Sequence, residues 1–206
     1  MKTVFSPRHA GHSGNVELDT NEIVPAYEKP SRAEFIRARI EAVGLGPIVE
    51  PQAHGLETAR KVHDPAYLEF LESVYPEWLA AGRSGTAMPY VWPTRALRAD
   101  VVPTSIEGKI GFYAFDAGAT FVAGTWDAVR SSHDSALSAA SLVESGEPAT
   151  MQAQILPAAI ASSTMQRWPP SGSSIKEQSA FRSSMSIITT ATAPRKSSTA
   201  AATCRS

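Results

Sequence analysis

The chain changes character at Ala149, and that break limits what it can fold into. Up to that point acidic, basic and apolar residues are interspersed, whereas from Thr150 to Ser206 the only carboxylate is Glu177. Ser183-Ser184, Thr189-Thr190-Ala191-Thr192 and Ser197-Ser198-Thr199-Ala200-Ala201-Ala202-Thr203 carry neither a helical nor a strand period. Such a segment buries too little apolar surface to offset its ordering entropy. The expected organisation is a domain over residues 1–149 and a disordered tail over 150–206.

A net charge of -1 gives no basis for expecting nucleic acid or a membrane surface as partner. No charged-then-apolar leader and no run of about eighteen apolar residues is present, so neither export nor a membrane span is expected. The single cysteine, Cys204, has no internal partner, which fits a cytoplasmic protein.

Thr3-Val4-Phe5 reads as an edge strand and His9 to Asn21 as a polar loop. Ser31 can cap a helix over Arg32 to Val43, with Phe35, Ile36, Ile40 and Val43 on one face and Gly44 and Gly46 after it. Pro47-Ile48-Val49 reads as a second strand and Leu56 to Val62 as a short helix. A longer helix from Pro65 carries the stripe Tyr67, Leu68, Phe70, Leu71, Val74 and Trp78. Ala81 to Pro103 is a long irregular stretch, of a length usually functional or interfacial. Thr125 can cap a helix over Trp126 to Val143, whose expected face is Ala128, Val129, Ala136, Leu137, Ala140, Leu142 and Val143, and Gly146 ends it.

Candidate chemistry in residues 1–149 is sparse. His9-x-x-His12 has a spacing that can chelate a metal, but no carboxylate lies nearby in the sequence, and plain loop histidines are the expectation. His63-Asp64 before Pro65 reads as a helix cap, and His54 and His133 have no partners identifiable from sequence. Glu17 and Glu107 read as isolated surface acids. Gly108-x-x-Gly111 is too short for a phosphate loop, and no Ser/His/Asp order or Cys/His pair suggests nucleophilic catalysis.

Several strings together resemble one family. They are Lys2-Thr3-Val4-Phe5-Ser6, Ala53-His54-Gly55-Leu56-Glu57-Thr58, Lys61 through Leu71, Trp92-Pro93, Ile106 through Tyr113, and Ala123-Gly124-Thr125-Trp126-Asp127-Ala128. In order and content they are similar to bacterial acetylpolyamine amidohydrolases of the histone deacetylase superfamily. The resemblance implies an arginase-like α/β fold, of which this would be the N-terminal portion, with helices flanking a parallel sheet. It also implies removal of acetyl groups from acetylated polyamines by a zinc-activated water. Motif by motif, Glu17 and Glu107 match two acids near the family's channel mouth. Gly118 replaces a third, with Asp116 close by. The stretch 81–103 matches an insertion that narrows the channel by dimerisation, with Tyr90, Trp92 and Pro93 as apolar contacts. The family's later strings are Arg-Pro-Pro-Gly-His-His-Ala-Gly, Gly-Gly-Tyr-Cys-Phe-Leu-Asn-Asn and Asp-Val-Asp-Tyr-His-His-Gly-Asn-Gly-Thr. They hold the paired catalytic histidines and zinc ligands. None occurs in the chain as written. No bound zinc and no catalytic residue are therefore expected here.

A slipped reading frame would account for their absence. When codons are rebuilt from the third base of one residue and the first two of the next, Met151-Gln152, Met165-Gln166 and Trp168-Pro169 each force Ala. Ala149 to Gln154, with a base from Pro148, permits Gly-His-His-Ala-Gly-Ala. Pro157 to Gln166 permits Gly-Gly-Tyr-Cys-Phe-Leu-Asn-Asn-Ala. Arg182 to Pro194 permits Ile-Leu-Asp-Val-Asp-Tyr-His-His-Gly-Asn-Gly-Thr. These strings fall in family order. The Arg-Pro-Pro string has no room between Val143 and Ala149, so a small deletion there would remove it and shift the frame together. A sheet deprived of its later strands would expose edges and apolar faces, and poor solubility is expected.

Overall fold

A computed structural model describes residues 1–14, 16–27, 29–91, 100–114 and 116–152. They form an α/β arrangement with a parallel sheet flanked by helices. Three strands, β1 (Lys2–Phe5), β4 (Ile48–Val49) and β5 (Ala149–Gln152), lie in the order β4-β1-β5. Both pairings are parallel, Val4 lying opposite Val49 on one side and Met151 on the other. β1 is therefore the central strand of the three and not an edge. Its Thr3, Val4 and Phe5 are all buried, as a strand covered on both faces requires. β5 runs through the compositional break: the ladder needs only backbone donors and acceptors, which any residue but proline supplies.

The expected loop from His9 to Asn21 is more ordered than its polarity suggests. Ser6 caps a 3-10 turn over Pro7–Gly11, its Oγ accepting from the Arg8 N–H at 3.3 Å. An antiparallel hairpin follows, β2 (Val16–Asp19) with β3 (Glu22–Pro25). Its tip, Thr20-Asn21, has φ 47° and 68°, the paired left-handed geometry of a two-residue hairpin turn, here made without glycine.

Helix α1 (Ser31–Ala42) begins with Ser31 inside the helix; Pro30 holds the cap position and no side-chain cap bond forms. Of the expected apolar face only Ile40 is buried. Ala33 and Ile40 are buried, whereas Phe35 is 76% exposed and Ile36 and Val43 are exposed as well. Residues seven apart point along one line, and only that line meets the narrow sheet.

Helix α2 (Glu57–Val62) leads into α3 (Pro65–Ala80), where the Asp64 carboxylate accepts from the Ala66 N–H at 2.8 Å, the cap the sequence suggested. The whole expected stripe of α3 is buried. It packs on α4 (Ile106–Tyr113), capped by Ser105, and on Phe121. Phe70 stacks on Tyr113 with centroids 4.5 Å apart and meets Phe121 edge-on at 5.5 Å. Ala87 and Phe121 close this core with a backbone bridge.

Helix α5 (Thr125–Glu144) buries a small and polar face: Thr125, Ala128, Ser131, Asp134, Ser135, Ser138 and Ala139. Of the face expected from sequence only Ala128 is fully buried; Val129, Ala136, Leu137 and Leu142 are half-buried, and Ala140 and Val143 are exposed. Small side chains let the helix lie close against the turn after β1, and Gly11 and Gly124 touch backbone to backbone with no room for a Cβ on Gly124. Two of the buried serines are satisfied by their own helix: Ser131 donates to the Ala128 carbonyl at 3.3 Å and Ser135 to the Ser131 carbonyl at 2.7 Å. No helix among the described residues is long and apolar enough to cross a membrane.

Candidate functional site

In open parallel sheets the crevice beyond the carboxyl ends of the strands is the usual place for a ligand. Here the segments leaving β1 (Ser6, Pro7, Arg8) and β4 (Glu50, Pro51, Ala53) face Ser131 and Asp134 of α5 across a cavity of about 280 Å3. Asp134, on the cavity lining, belongs to a polar seam that sequence reasoning missed. Asp134 Oδ1 accepts from the His54 backbone N–H at 3.1 Å and lies 3.3 Å from His133 Nδ1. Ser138 Oγ hydrogen-bonds His54 Nε2 at 3.1 Å and accepts from the Gln52 N–H at 2.9 Å. Arg130 donates to the His54 carbonyl at 3.1 Å. His54 and His133, without partners by sequence, are thus both engaged. The partners lie 76 to 86 residues away from the loop they fasten, except for the adjacent His133-Asp134 pair. No local pattern could have announced them.

The seam has the residue types of a nucleophilic relay but not its geometry. Asp134 bonds the backbone of His54 and not its ring, so it neither fixes the tautomer nor stabilises an imidazolium on the histidine that touches the serine. The arrangement fastens the loop after β4 onto α5.

His9 and His12 do not converge on a common point. His9 is buried, donates from Nδ1 to the Ser6 carbonyl at 2.7 Å, and turns Nε2 towards Glu34 at 3.6 Å. His12 Nδ1 bonds Thr125 Oγ1 at 2.9 Å. Among the described residues no group of three His, Cys, Asp or Glu could hold a metal ion, so these residues do not fit a zinc centre.

Burial pushes the His12 pKa down from 6.5 to about 4. The unfolded chain therefore binds the extra proton first. The stability contributed is full above about pH 6.5 and is lost as pH falls towards 4, on the order of 3 kcal/mol over that window. His63 moves in the same direction, through burial and then through the charge on His133. Urea unfolding of the native chain should weaken between pH 6.5 and 4, and His12→Gln should flatten part of that slope.

The acids singled out by resemblance lie elsewhere. Glu17 is on β2, half-buried, and Glu107 is in the first turn of α4; neither lines the crevice. Glu107 receives two bonds from Arg83, at 2.9 and 2.7 Å. Asp116 is turned back on its own loop, accepting from the Gly118 N–H at 2.9 Å. Tyr90 is 73% exposed; Trp92 and Pro93 lie outside the described residues, as does the sequence from 153 onward.

Known proteins share this N-terminal architecture. Acetylpolyamine amidohydrolase 2 of Pseudomonas aeruginosa is 44% identical over 146 residues, 71% of this chain and 42% of that protein. The acetylpolyamine amidohydrolase of Mycoplana ramosa is 42% identical over 149 residues, 72% of this chain and 43% of that one. The first part of the chain is homologous to the acetylpolyamine amidohydrolases. A crystal structure of acetylpolyamine aminohydrolase from Burkholderia pseudomallei superposes with a TM-score of 0.64 at 30% identity, over 74% of this chain and 44% of that one. The chain thus spans less than half the length of the acetylpolyamine amidohydrolases it matches. No protein-family model matches it.

Proposed function

We propose that the activity to which this sequence belongs is zinc-dependent hydrolysis of acetylated polyamines, and that the 206-residue chain, as written, does not carry it out. What supports the first half is the identity to acetylpolyamine amidohydrolases along most of the part before the break. What carries the second is the tail: rebuilt one frame away, it permits the family's histidine, cysteine and aspartate strings in family order. On this reading residues 1–149 are the deacetylase N-terminal part, and 150–206 are its catalytic continuation read out of frame. Glu17 and Glu107 are the acids that face a cationic substrate, because carboxylates select a polyamine by charge complementarity. The protein is cytoplasmic, and 81–103 pairs with a second copy.

A second reading is a non-enzymatic fragment that dimerises or binds. It is favoured by exposed apolar residues within the same stretch, Tyr90 and Val91 on one side of 92–99 and Val101 and Val102 on the other. The nucleotide sequence across the codons for residues 144 to 152 and onward separates the origins of the tail. The frame reading predicts an overlapping frame encoding Asp-Val-Asp-Tyr-His-His. An overlapping frame without that string would overturn it.

A further inference from the structure

The three-stranded sheet has two edges, and only one of them is protected. At the first, β4 is two residues long and sits between Pro47 and Pro51. Short strands and prolines keep an edge from pairing with another chain. At the second, β5 runs for four residues, Ala149-Thr150-Met151-Gln152, without a charge or a proline. Its inner side is fixed by β1: the Lys2 N–H bonds the Pro148 carbonyl at 2.9 Å, and Lys2 lies opposite Ala149. Backbone groups alternate in direction along a strand, so Thr150 and Gln152 continue that ladder. The N–H and C=O groups of Ala149 and Met151 therefore point to the outer side, where no described strand pairs with them.

We propose that the outer side of β5 is an interface between two copies of this chain, which join β5 to β5 antiparallel about a two-fold axis and so double the sheet. A strand added to a parallel sheet has to be dry on both faces, as its neighbours are. β5 lies against both α5 and α1. The β5 of a second copy brings the same two helices with it, whereas a free peptide brings none. The edge is also self-complementary. With the axis between the two Thr150 residues, Ala149 of one copy exchanges both its bonds with Met151 of the other, and the threonines meet as a cross-strand pair. No charge is brought into the seam. Four residues a side fall far short of the roughly 20–30 of a stable interface, so the dimer is weak and forms as concentration rises. This contact is separate from the pairing through 81–103 and does not rest on it.

Sedimentation velocity of the full chain over a wide concentration range should show a reversible monomer–dimer equilibrium. Met151→Pro removes an outward N–H from each copy and leaves the ladder to β1 intact. It should weaken the dimer by about tenfold or more, two hydrogen bonds being lost per pair, with the circular dichroism unchanged. In a Cys204→Ser background, Thr150→Cys should yield a disulfide-linked dimer under mild oxidation. Directly opposed residues of a non-bonded antiparallel pair have Cα atoms about 4.5 Å apart, within disulfide range. Tyr90→Ser should leave this dimer unchanged. A monomer at every concentration would sink the proposal, as would a dimer indifferent to Met151→Pro. A dimer lost in Tyr90→Ser and kept in Met151→Pro would assign the contact to 81–103 and sink it equally. If Met151→Pro unfolds the chain, the Thr150→Cys crosslink decides alone, and its absence counts against the interface.

Discussion

On the proposed reading, restoring the bases lost between the codons for Val143 and Thr150, and with them the Arg-Pro-Pro string and the reading frame, is expected to convert a chain expected to hold no zinc into one that holds about one zinc per molecule. The corrected protein should also hydrolyse an acetylated polyamine at enzymatic rates, at least about a million-fold over the uncatalysed reaction. The size of the effect follows from where the five histidines already sit. His9 and His12 are tied to Ser6 and Thr125, and His54 and His133 to the seam on α5. His63 stacks obliquely on Tyr67 at the start of α3, with ring centroids 6.1 Å apart. No set of three ligands forms among the described residues, and on the proposed reading the ligands come from the sequence that the shifted frame encodes. Metal analysis of the two purified proteins, with an acetylpolyamine hydrolysis assay on each, measures both quantities. Stoichiometric zinc with activity in the uncorrected chain would defeat the proposal.

Phe70→Ala is expected to destabilise the domain by about 3–5 kcal/mol. Phe70 is buried where α3, α4 and the segment through Phe121 meet, with Tyr67, Tyr113 and Phe121 all in ring contact. Removing the ring leaves a void that three rigid aromatics cannot collapse to fill. Against a typical total of about 5–15 kcal/mol, that loss removes much of the cooperative transition. Phe35→Ala, on the 76%-exposed ring of α1, should change stability by no more than about 0.5 kcal/mol. Urea unfolding of the two variants makes the comparison directly. Equal losses would mean that the face of α1 is covered in solution.

Those two phenylalanines also mark what the sequence could and could not disclose. The α3 stripe repeats at helical spacing and packs on a partner as apolar as itself, so pattern and burial agree. On α1 the pattern points the wrong way: Phe35 and Val43 lie off the line through Ala33 and Ile40 that meets the sheet, and a three-stranded sheet covers only that line. On α5 the size of the side chains misled. A close approach to the turn after β1 selects Ala, Ser and Thr for the buried face, while the leucine and valine at its far end remain partly or wholly outside. The Asp64 cap could be read because its partner is two residues away; the seam around His54 could not, because it joins segments some eighty residues apart. The hairpin at Thr20-Asn21 was hidden by the lack of the glycine that usually signals such a tip.

The pairing of β1 with β5 sets an order of events during synthesis. Lys2 lies opposite Ala149 and Phe5 opposite Gln152, so the first strand made waits for the last one described. The contacts of α3 with α4 and Phe121 span far less chain and can close while β5 is still in the ribosome. Until then β1, whose Thr3, Val4 and Phe5 are buried in the finished sheet, travels with one side unpaired. The nascent chain therefore has a window, nearly as long as the domain itself, in which its opening residues are a substrate for chaperones.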